Sequence, residues 1–330
     1  MSPKKRVFSG IQPSGVSHIG NYLGAIRNWV LQQEQYDSIF CIVDLHALTL
    51  PTNPEELRAN TITLANTLLA AGIDPERSIL FVQGDVKEHA ELCWLLNSVT
   101  QYGELRRMTQ FKDKSGSGEE SVSAALFVYP VLQAADILLY DTDLVPVGED
   151  QRQHVELTRD VAIRFNARYG ETFVVPKADI KSEGAKIMAL DDPAKKMSKS
   201  SHAVGSFIAL TDTPDEIVRK IKRAVTDSGA EIKTGPDKPA ITNLLTIHSL
   251  LSGTPIAQLE ANFEGKGYGA LKNEVAEVVI QALGPIQARF SELQADPQQT
   301  EAILDAGAER ARTRAVVKLA EARVNMGLGR

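Results

Sequence analysis

The sequence predicts an α/β protein with a Rossmann-like, doubly wound parallel sheet, followed by an all-helical C-terminal domain. Short buried-strand runs alternate with helical patterns through about the first 205 residues, which is typical of parallel strands joined by helices. From residue 213 onward the pattern is helical throughout. We therefore predict an α/β domain over 1–205 and a helical domain over 206–330, whose last helix packs back on the first domain.

The composition is that of a globular protein, with 43% hydrophobic and 24% charged residues. A net charge of −6 disfavours a surface coated in basic residues but allows a local basic patch for nucleic acid. No apolar run reaches membrane-spanning length and no signal-peptide pattern follows Met1, so we expect a cytoplasmic protein without a membrane partner. Cys41 and Cys93 lie far apart in apolar runs, and no Cys/His cluster has zinc spacing, so we expect no metal cluster.

The first element, residues 6–27, is predicted to form a strand, a tight turn and a helix. The apolar run at 7–11 predicts a buried strand, and Pro13 and Gly15 predict the turn that ends it. Ser17 is the predicted N-cap of the helix, because apolar residues recur at helical spacing after it.

The start of this helix is a candidate phosphate site, because a helix N-terminus presents unpaired N–H groups and a partial positive charge. His18 lies in the first turn, where its ring can donate to a phosphate oxygen. Gly20 would let a ligand approach the backbone closely. Asn21 lies three residues after His18, on the same face. An ordinary first strand and helix joined by a glycine turn is the alternative.

Further elements continue the alternation of strand and helix. They are strand 38–43, helix 53–71, strand 78–82, a helical insertion over about 87–128, helix 121–139 interrupted at Pro130, strand 144–147, helix 149–168 and a short strand at 186–190. Polar residues after parallel strands lie where α/β sheets bind ligands. His46 follows strand 38–43, and Gly148, Glu149 and Asp150 follow strand 144–147. A structural role is the alternative for each.

Helix 121–139 carries three polar side chains on one face, Tyr129, Gln133 and Asp136. Asp136 lies in an apolar run, where a buried carboxylate needs a partner or a function. Loop 112–120 contains Lys114, which can swing towards a phosphate, although a solvated loop is the commoner outcome.

The second chemically distinctive segment is Lys196-Met197-Ser198-Lys199-Ser200. Lysines mixed with small hydroxyls suit a mobile loop that closes over polyphosphate, since lysine supplies a point charge and serine a donor. A solvated basic loop is the alternative for this segment taken alone.

Segments 13–21 and 196–200 together resemble the paired signatures of class I aminoacyl-tRNA synthetases, Pro-Ser/Thr-Gly-x-x-His-Ile-Gly-His/Asn and Lys-Met-Ser-Lys-Ser. The resemblance covers nearly the whole chain and is closest to bacterial tryptophanyl-tRNA synthetases. Further segments that look like that family are 10–15, 44–47, 134–136, 147–151 and 326–329. The resemblance implies a Rossmann catalytic domain, a helical tRNA(Trp)-binding domain, a homodimer, and use of L-tryptophan and ATP, with Mg²⁺ bound through the ATP phosphates.

The resemblance also implies roles for individual residues. Those expected to stabilise phosphate charge, while the tryptophan carboxylate attacks the α-phosphate of ATP, are His18, Asn21, Lys196, Ser198 and Lys199. The implied ATP contacts are Gln12, Pro13, Ser14, Gly20, Asn21, Lys114, Gly148, Glu149, Asp150, the backbone of Ile187, Lys196, Met197, Ser198, Lys199 and Ser200. The implied tryptophan contacts are Phe8, His46, Tyr129, Gln133, Asp136, Val145, Val147 and Gln151, with Asp136 accepting the indole N–H.

The sister family of tyrosyl-tRNA synthetases is the nearest alternative, because the spacing of Tyr129, Gln133 and Asp136 is that of its amino-acid pocket. Bacterial tryptophanyl enzymes often have Met at the place of Gln133. Phe8 and Gln12 argue for tryptophan, since tyrosyl enzymes typically carry Tyr and Asp there. An adenylyltransferase that acts on a metabolite without tRNA and a catalytically silent paralogue are further alternatives. A dinucleotide oxidoreductase is not favoured, because the turn after the first strand lacks the Gly-x-Gly-x-x-Gly pattern.

Two basic clusters lie on the predicted C-terminal helices. The first comprises Arg219, Lys220, Lys222 and Arg223, and the second comprises Arg310, Arg312, Arg314, Lys318 and Arg323. Such clusters usually reflect solvated helix faces, but on a synthetase they are candidates for contacts with the tRNA phosphate backbone.

Overall fold

One parallel sheet carries the first domain of the computed structural model, which describes residues 4–108, 123–180, 186–198 and 205–329. The strands are β1 (Arg6–Ile11), β2 (Asp37–Ile42), β3 (Ile79–Val82), β4 (Leu144–Pro146) and β5 (Lys177–Asp179). Their order across the sheet is β3-β2-β1-β4-β5, so the direction of winding reverses beside β1. The predicted doubly wound parallel sheet is confirmed. Such sheets bind ligands where the winding reverses, outside the carboxyl ends of the strands.

Helices cover both faces of this sheet. They are α1 (residues 19–32), α2 (Asp44–Ala47), α3 (Pro54–Ala70), α4 (Glu88–Asn97), α5 (Tyr102–Arg106), α6 (Ala124–Leu138) and α7 (Arg152–Tyr169). The middle of α1, Tyr22–Ile26, is π-helical, a form often found at functional sites. Pro130 lies inside α6, so the predicted interruption there is wrong.

The short strand predicted at 186–190 is also wrong. Only an isolated antiparallel bridge joins Met188 to Lys196 in that region. The fifth strand is instead β5, which pairs in parallel with β4. β5 consists of Lys-Ala-Asp and contains no apolar run that could have predicted it. A short edge strand is only half-buried, so its sequence does not need to be apolar.

The second part of the chain is helical, as predicted. Its helices are α8 (Pro214–Arg223), α9 (Pro239–Ser252), α10 (Ile256–Asn262), α11 (Tyr268–Ala295) and α12 (Pro297–Asn325). Thr213 caps α8 in a capping box with Glu216. Pro285 lies within α11 and neither starts nor breaks it. In the described ranges, no helix is long and apolar enough to cross a membrane.

Helix α12 packs against the α/β domain along β3. A Cβ at Gly307 would lie 1.8 Å from the Leu80 carbonyl oxygen, so only glycine allows this approach. Arg314 binds both oxygens of Asp37, a carboxylate that Arg6 also binds.

The basic residues of α12 all have partners within the chain. Arg310 donates to the carbonyls of Pro75 and Ser78. Arg312, Arg314 and Arg323 pair with Glu88, Asp37 and Glu91, respectively. Lys318 pairs with Asp141 and Glu321 and donates to the Thr172 carbonyl. Anchoring of α12 is thus a role of this cluster that neither interpretation from the sequence, a solvated face or a tRNA contact, included.

A second core joins α1 to the helical part of the chain. Ile19 and Leu23 of α1 pack in one buried cluster with Ile187 and Met197, and with apolar side chains of α8, α9 and α11. The two signature segments are consequently held against each other by apolar packing.

Candidate active site

The first signature forms a capping box at the start of α1. His18 is the N-cap: its ring Nδ1 accepts the Asn21 backbone N–H at 3.3 Å, and Asn21 Oδ1 accepts the His18 backbone N–H at 3.1 Å. The prediction of Ser17 as N-cap is wrong by one residue, because the ring nitrogen of His18 replaces the hydroxyl acceptor. With Nδ1 as acceptor, the ring proton of a neutral His18 lies on Nε2.

Gly20 has a packing role in addition to the ligand approach expected from the sequence. A Cβ there would lie 2.9 Å from His18 Nδ1 and 3.5 Å from the Met197 Cβ. The missing side chain therefore makes room for the imidazole and for the second signature, rather than only for a ligand. The two signatures meet at this glycine.

The second signature is held by backbone hydrogen bonds. Met197 N–H donates to the Ile187 carbonyl at 2.9 Å, and Ala189 N–H donates to the Lys195 carbonyl at 2.9 Å. The side chains of Ile187 and Met197 are buried in the shared core, whereas the Lys196 side chain is exposed and that of Ser198 is partly exposed. Any nucleotide contact at Ile187 must therefore use its backbone. The predictions for Lys114, Lys199 and Ser200 fall outside the described residues.

A cavity of about 540 Å³ opens at the carboxyl ends of β1 and β4. Its lining includes all eight residues predicted to contact tryptophan, namely Phe8, His46, Tyr129, Gln133, Asp136, Val145, Val147 and Gln151. Gln12, predicted to contact ATP, lines the same cavity. The sheet brings these side chains together, because β1, β2 and β4 end side by side.

Asp136 is the polar centre of the cavity wall and is 1% exposed. One carboxylate oxygen, Oδ2, lies 2.7 Å from His46 Nε2. The other, Oδ1, lies 2.6 Å from His89 Nδ1 and accepts from the Gln83 amide at 2.6 Å. His89 Nε2 in turn lies 2.7 Å from the Tyr140 hydroxyl.

These donors set the charge of Asp136. Burial acts to raise the pKa of this carboxyl, but the charge and hydrogen bonds of His46 and His89 outweigh burial and lower the pKa to about 2. The side chain is therefore ionised at neutral pH and acts only as a hydrogen-bond acceptor.

The other polar side chains of the cavity differ in how they are held. The Tyr129 hydroxyl bonds to buried His154 Nε2 at 2.8 Å, and burial raises the pKa of Tyr129 to about 12. Gln151 donates to Asp150 at 2.9 Å. The Gln133 amide makes no hydrogen bond with any residue in the described ranges. Gln133, like Ser9 of the same cavity, is thus available to a ligand without first losing a partner.

Residues Gly148, Glu149 and Asp150 follow β4 as predicted, in a tight turn that opens α7. A Cβ at Gly148 would lie 2.7 Å from Asp150 Oδ1, so a larger residue there would displace the exposed Asp150 side chain. Glu149 pairs with Arg152 at 2.6 Å on the surface. In the turn after β1, at the same end of the sheet as residues 148–150, Pro13 is buried and Ser14 is exposed.

Sequence reasoning missed Gln83, His89 and Tyr140. Gln83 directly follows β3 and His89 lies in α4, so only the fold brings them to Asp136. Tyr140 follows α6 and bonds to His89. The signal available in the sequence was Asp136 itself, since a carboxylate in an apolar run requires donors. Gln83 follows β3 at the ligand-binding end of the sheet, which was a second available signal.

The sheet order and the joined signatures define a class I aminoacyl-tRNA synthetase. The family model of class I tRNA synthetases for tryptophan and tyrosine matches residues 2–284. The chain therefore belongs to this family.

Its relatives identify the branch. The tryptophan–tRNA ligase of Caldanaerobacter subterraneus is 56% identical over 325 residues, 98% of each chain. Tryptophanyl-tRNA synthetase from Mycoplasma pneumoniae superposes with a TM-score of 0.88 at 38% identity, over 99% of this chain and 98% of that one. Tryptophanyl-tRNA synthetase from Campylobacter jejuni, solved with ADP and tryptophan, superposes with a TM-score of 0.86 at 39% identity, over 98% of this chain and 100% of that one. Within the family, the chain is a member of the tryptophan–tRNA ligases.

Proposed function

We propose that the 540 Å³ cavity binds the indole side chain of L-tryptophan, with Asp136 accepting the indole N–H. The observation that carries this proposal is an ionised, fully buried carboxylate in a largely apolar wall. An indole needs only an acceptor, whereas a phenol hydroxyl is served best by both a donor and an acceptor. A wrong amino acid that leaves this acceptor unpaired is rejected by roughly ten-thousand-fold. The test is amino-acid-dependent exchange of pyrophosphate into ATP, with activity expected for tryptophan alone.

We infer that ATP lies over the joined signatures. The carboxylate of tryptophan is already a nucleophile, so the step to tryptophanyl-adenylate and pyrophosphate requires alignment and stabilisation of phosphate charge. His18 Nε2–H donates to a phosphate oxygen, and Lys196 and Ser198 approach from the second signature. Lys114, Lys199 and Ser200 are proposed to add phosphate contacts.

The rest of the nucleotide is proposed to contact backbone and short side chains. Residues 12–14 and Gly20 border the phosphates, residues 148–150 meet the ribose hydroxyls, and Ile187 offers its N–H to the base. Met197 supports the loop from the core. We propose that Mg²⁺ arrives on the phosphate oxygens of ATP. In the described part of the chain, no three His, Cys, Asp or Glu side chains are grouped to hold a metal.

In the second step, a ribose hydroxyl at the 3′ end of tRNA(Trp) takes the acyl group. We propose that 1–205 is the catalytic domain and that 206–330 binds the tRNA. On α8, Arg219 and Arg223 line a small hollow with Lys220 and Gly205. Lys220 is paired with Asp212 at 2.5 Å, whereas Arg223 has no ion pair with a described residue. The Arg223 guanidinium is therefore available to a backbone phosphate.

Arg223→Gln is expected to raise the KM for tRNA(Trp) severalfold and to reduce the salt dependence of tRNA binding by about one phosphate contact. Pyrophosphate exchange, which needs no tRNA, should not change. The matched control is Arg312→Gln, which removes the same charge from a side chain that faces Glu88. Equal effects of the two substitutions on tRNA binding would contradict the role of Arg223.

We propose that the enzyme is a cytoplasmic homodimer. Trp94 on α4 is 77% exposed and Tyr102 on α5 is 68% exposed, with the Tyr102 ring 5.3 Å from the Phe127 ring. Large exposed aromatic side chains are enriched in protein interfaces, which supports a second copy as their cover.

A further inference from the structure

Three buried side chains stand behind Asp136 and do not line the cavity: Gln83, His89 and Tyr140. Gln83 and His89 are 0% exposed and Tyr140 is 1% exposed. They come from the end of β3, from α4 and from the end of α6: Gln83 and His89 bond to the carboxylate, and Tyr140 bonds to His89. Convergence of this kind fixes a side chain more tightly than its own rotamer preference does.

The hydrogen-bond directions in this cluster follow from the charge of Asp136. Because the carboxylate only accepts, His89 Nδ1 carries the proton and donates to Oδ1. Burial raises the pKa of Tyr140 well above its usual value, so its hydroxyl stays protonated. The Tyr140 hydroxyl lies 2.7 Å from His89 Nε2, so it completes the hydrogen bonding of the His89 ring.

The two carboxylate oxygens are consequently not equivalent. Oδ1 takes two donors, Gln83 and His89, which use both of its lone pairs. Oδ2 takes only His46, a cavity residue, and keeps one lone pair. Tyr140 also stacks on Phe8 of the cavity wall, with ring centroids 5.8 Å apart and planes 9° apart. The same buried cluster thus supports both the acceptor and the ring surface beside it.

We propose that His89, together with Gln83, is a positioning residue for amino-acid selection. By occupying Oδ1, it leaves Oδ2 beside His46 as the acceptor for the indole N–H. This inference rests on the proposed role of Asp136. Residues outside the cavity would thus contribute to discrimination between an indole N–H and a ring that has no donor.

The test compares two substrates that differ at one atom. They are tryptophan and 3-benzothienyl-alanine, which has sulfur in place of the indole N–H. The quantity is the ratio of their kcat/KM values in pyrophosphate exchange. In His89→Leu the ratio should fall about 10-fold or more, mainly through KM for tryptophan, because the acceptor loses a charge-assisted hydrogen bond that orients it. KM for ATP should not change.

Two further variants separate positioning from folding. His89→Asn keeps a donor near the Nδ1 position, so its ratio should stay within about threefold of the wild type. Tyr140→Phe keeps the stacked ring and removes one hydrogen bond to His89, so its ratio should fall about fivefold. If His89→Leu does not fold, Tyr140→Phe and His89→Asn decide the question on the same ratio.

Each outcome is decisive. Equal losses for both substrates in His89→Leu, or an unchanged ratio in Tyr140→Phe, would overturn the positioning role. A wild-type ratio near one would instead show that Asp136 does not read the N–H at all, which is a failure of the proposed function and not of His89 alone.

Discussion

Asp136→Asn is expected to lower kcat/KM for tryptophan by about 100- to 1000-fold, since it removes the charge from a fully buried network and leaves donors facing an amide. At least one of the donors His46, His89 and Gln83 then meets the Asn NH₂ group instead of an oxygen. The loss should appear mainly as a raised KM for tryptophan, with KM for ATP little changed. Steady-state pyrophosphate exchange measures both constants.

Gln133→Met is the comparison variant: it removes another predicted tryptophan contact of the same helix, but one that bonds to no described residue, so its effect should be much smaller. Tryptophan activation by this variant should stay within a few-fold of the wild type. Normal preference for tryptophan over tyrosine in Asp136→Asn would remove the indole role of this carboxylate.

His18→Ala is expected to lower the rate of tryptophan activation by about 100- to 1000-fold, because an oriented donor to the reacting phosphate is lost. Tryptophan binding should change little, since His18 does not line the cavity. Single-turnover formation of the adenylate separates these two effects.

The capping box complicates this experiment, because removing an N-cap also costs about 1 kcal/mol of stability. His18→Asn is the control: Asn is a good N-cap acceptor but cannot place a ring Nε2–H at the phosphate. We expect His18→Asn to recover the thermal midpoint without recovering the rate. Recovery of the rate together with the midpoint would mean that His18 acts through the helix alone.

Those features of the fold and the site that depend on local pattern could be predicted from the sequence. The strand and helix alternation, the two signature segments and the face shared by Tyr129, Gln133 and Asp136 are set by neighbouring residues. All eight expected pocket residues lie on one cavity, because the polar ends of parallel strands meet at one edge of the sheet.

What the sequence could not provide depends on distant contacts. His89 joins Asp136 only through packing of α4 against α6, and these two residues are 47 positions apart in the sequence. In the sequence, the basic residues of α12 look like a nucleic-acid contact. In the fold, they bond to carboxylates and carbonyls of the α/β domain. Gly20 was predicted to admit a ligand, and only the structure reveals the imidazole beside it.

Amino-acid activation is tested most directly by exchange of labelled pyrophosphate into ATP, run separately with each of the twenty amino acids. We expect exchange with tryptophan and no other amino acid, since Asp136 presents only an acceptor. Exchange with tyrosine would keep the synthetase and contradict the assignment of Phe8 and Asp136 to an indole. Absence of exchange with every amino acid would contradict amino-acid activation itself.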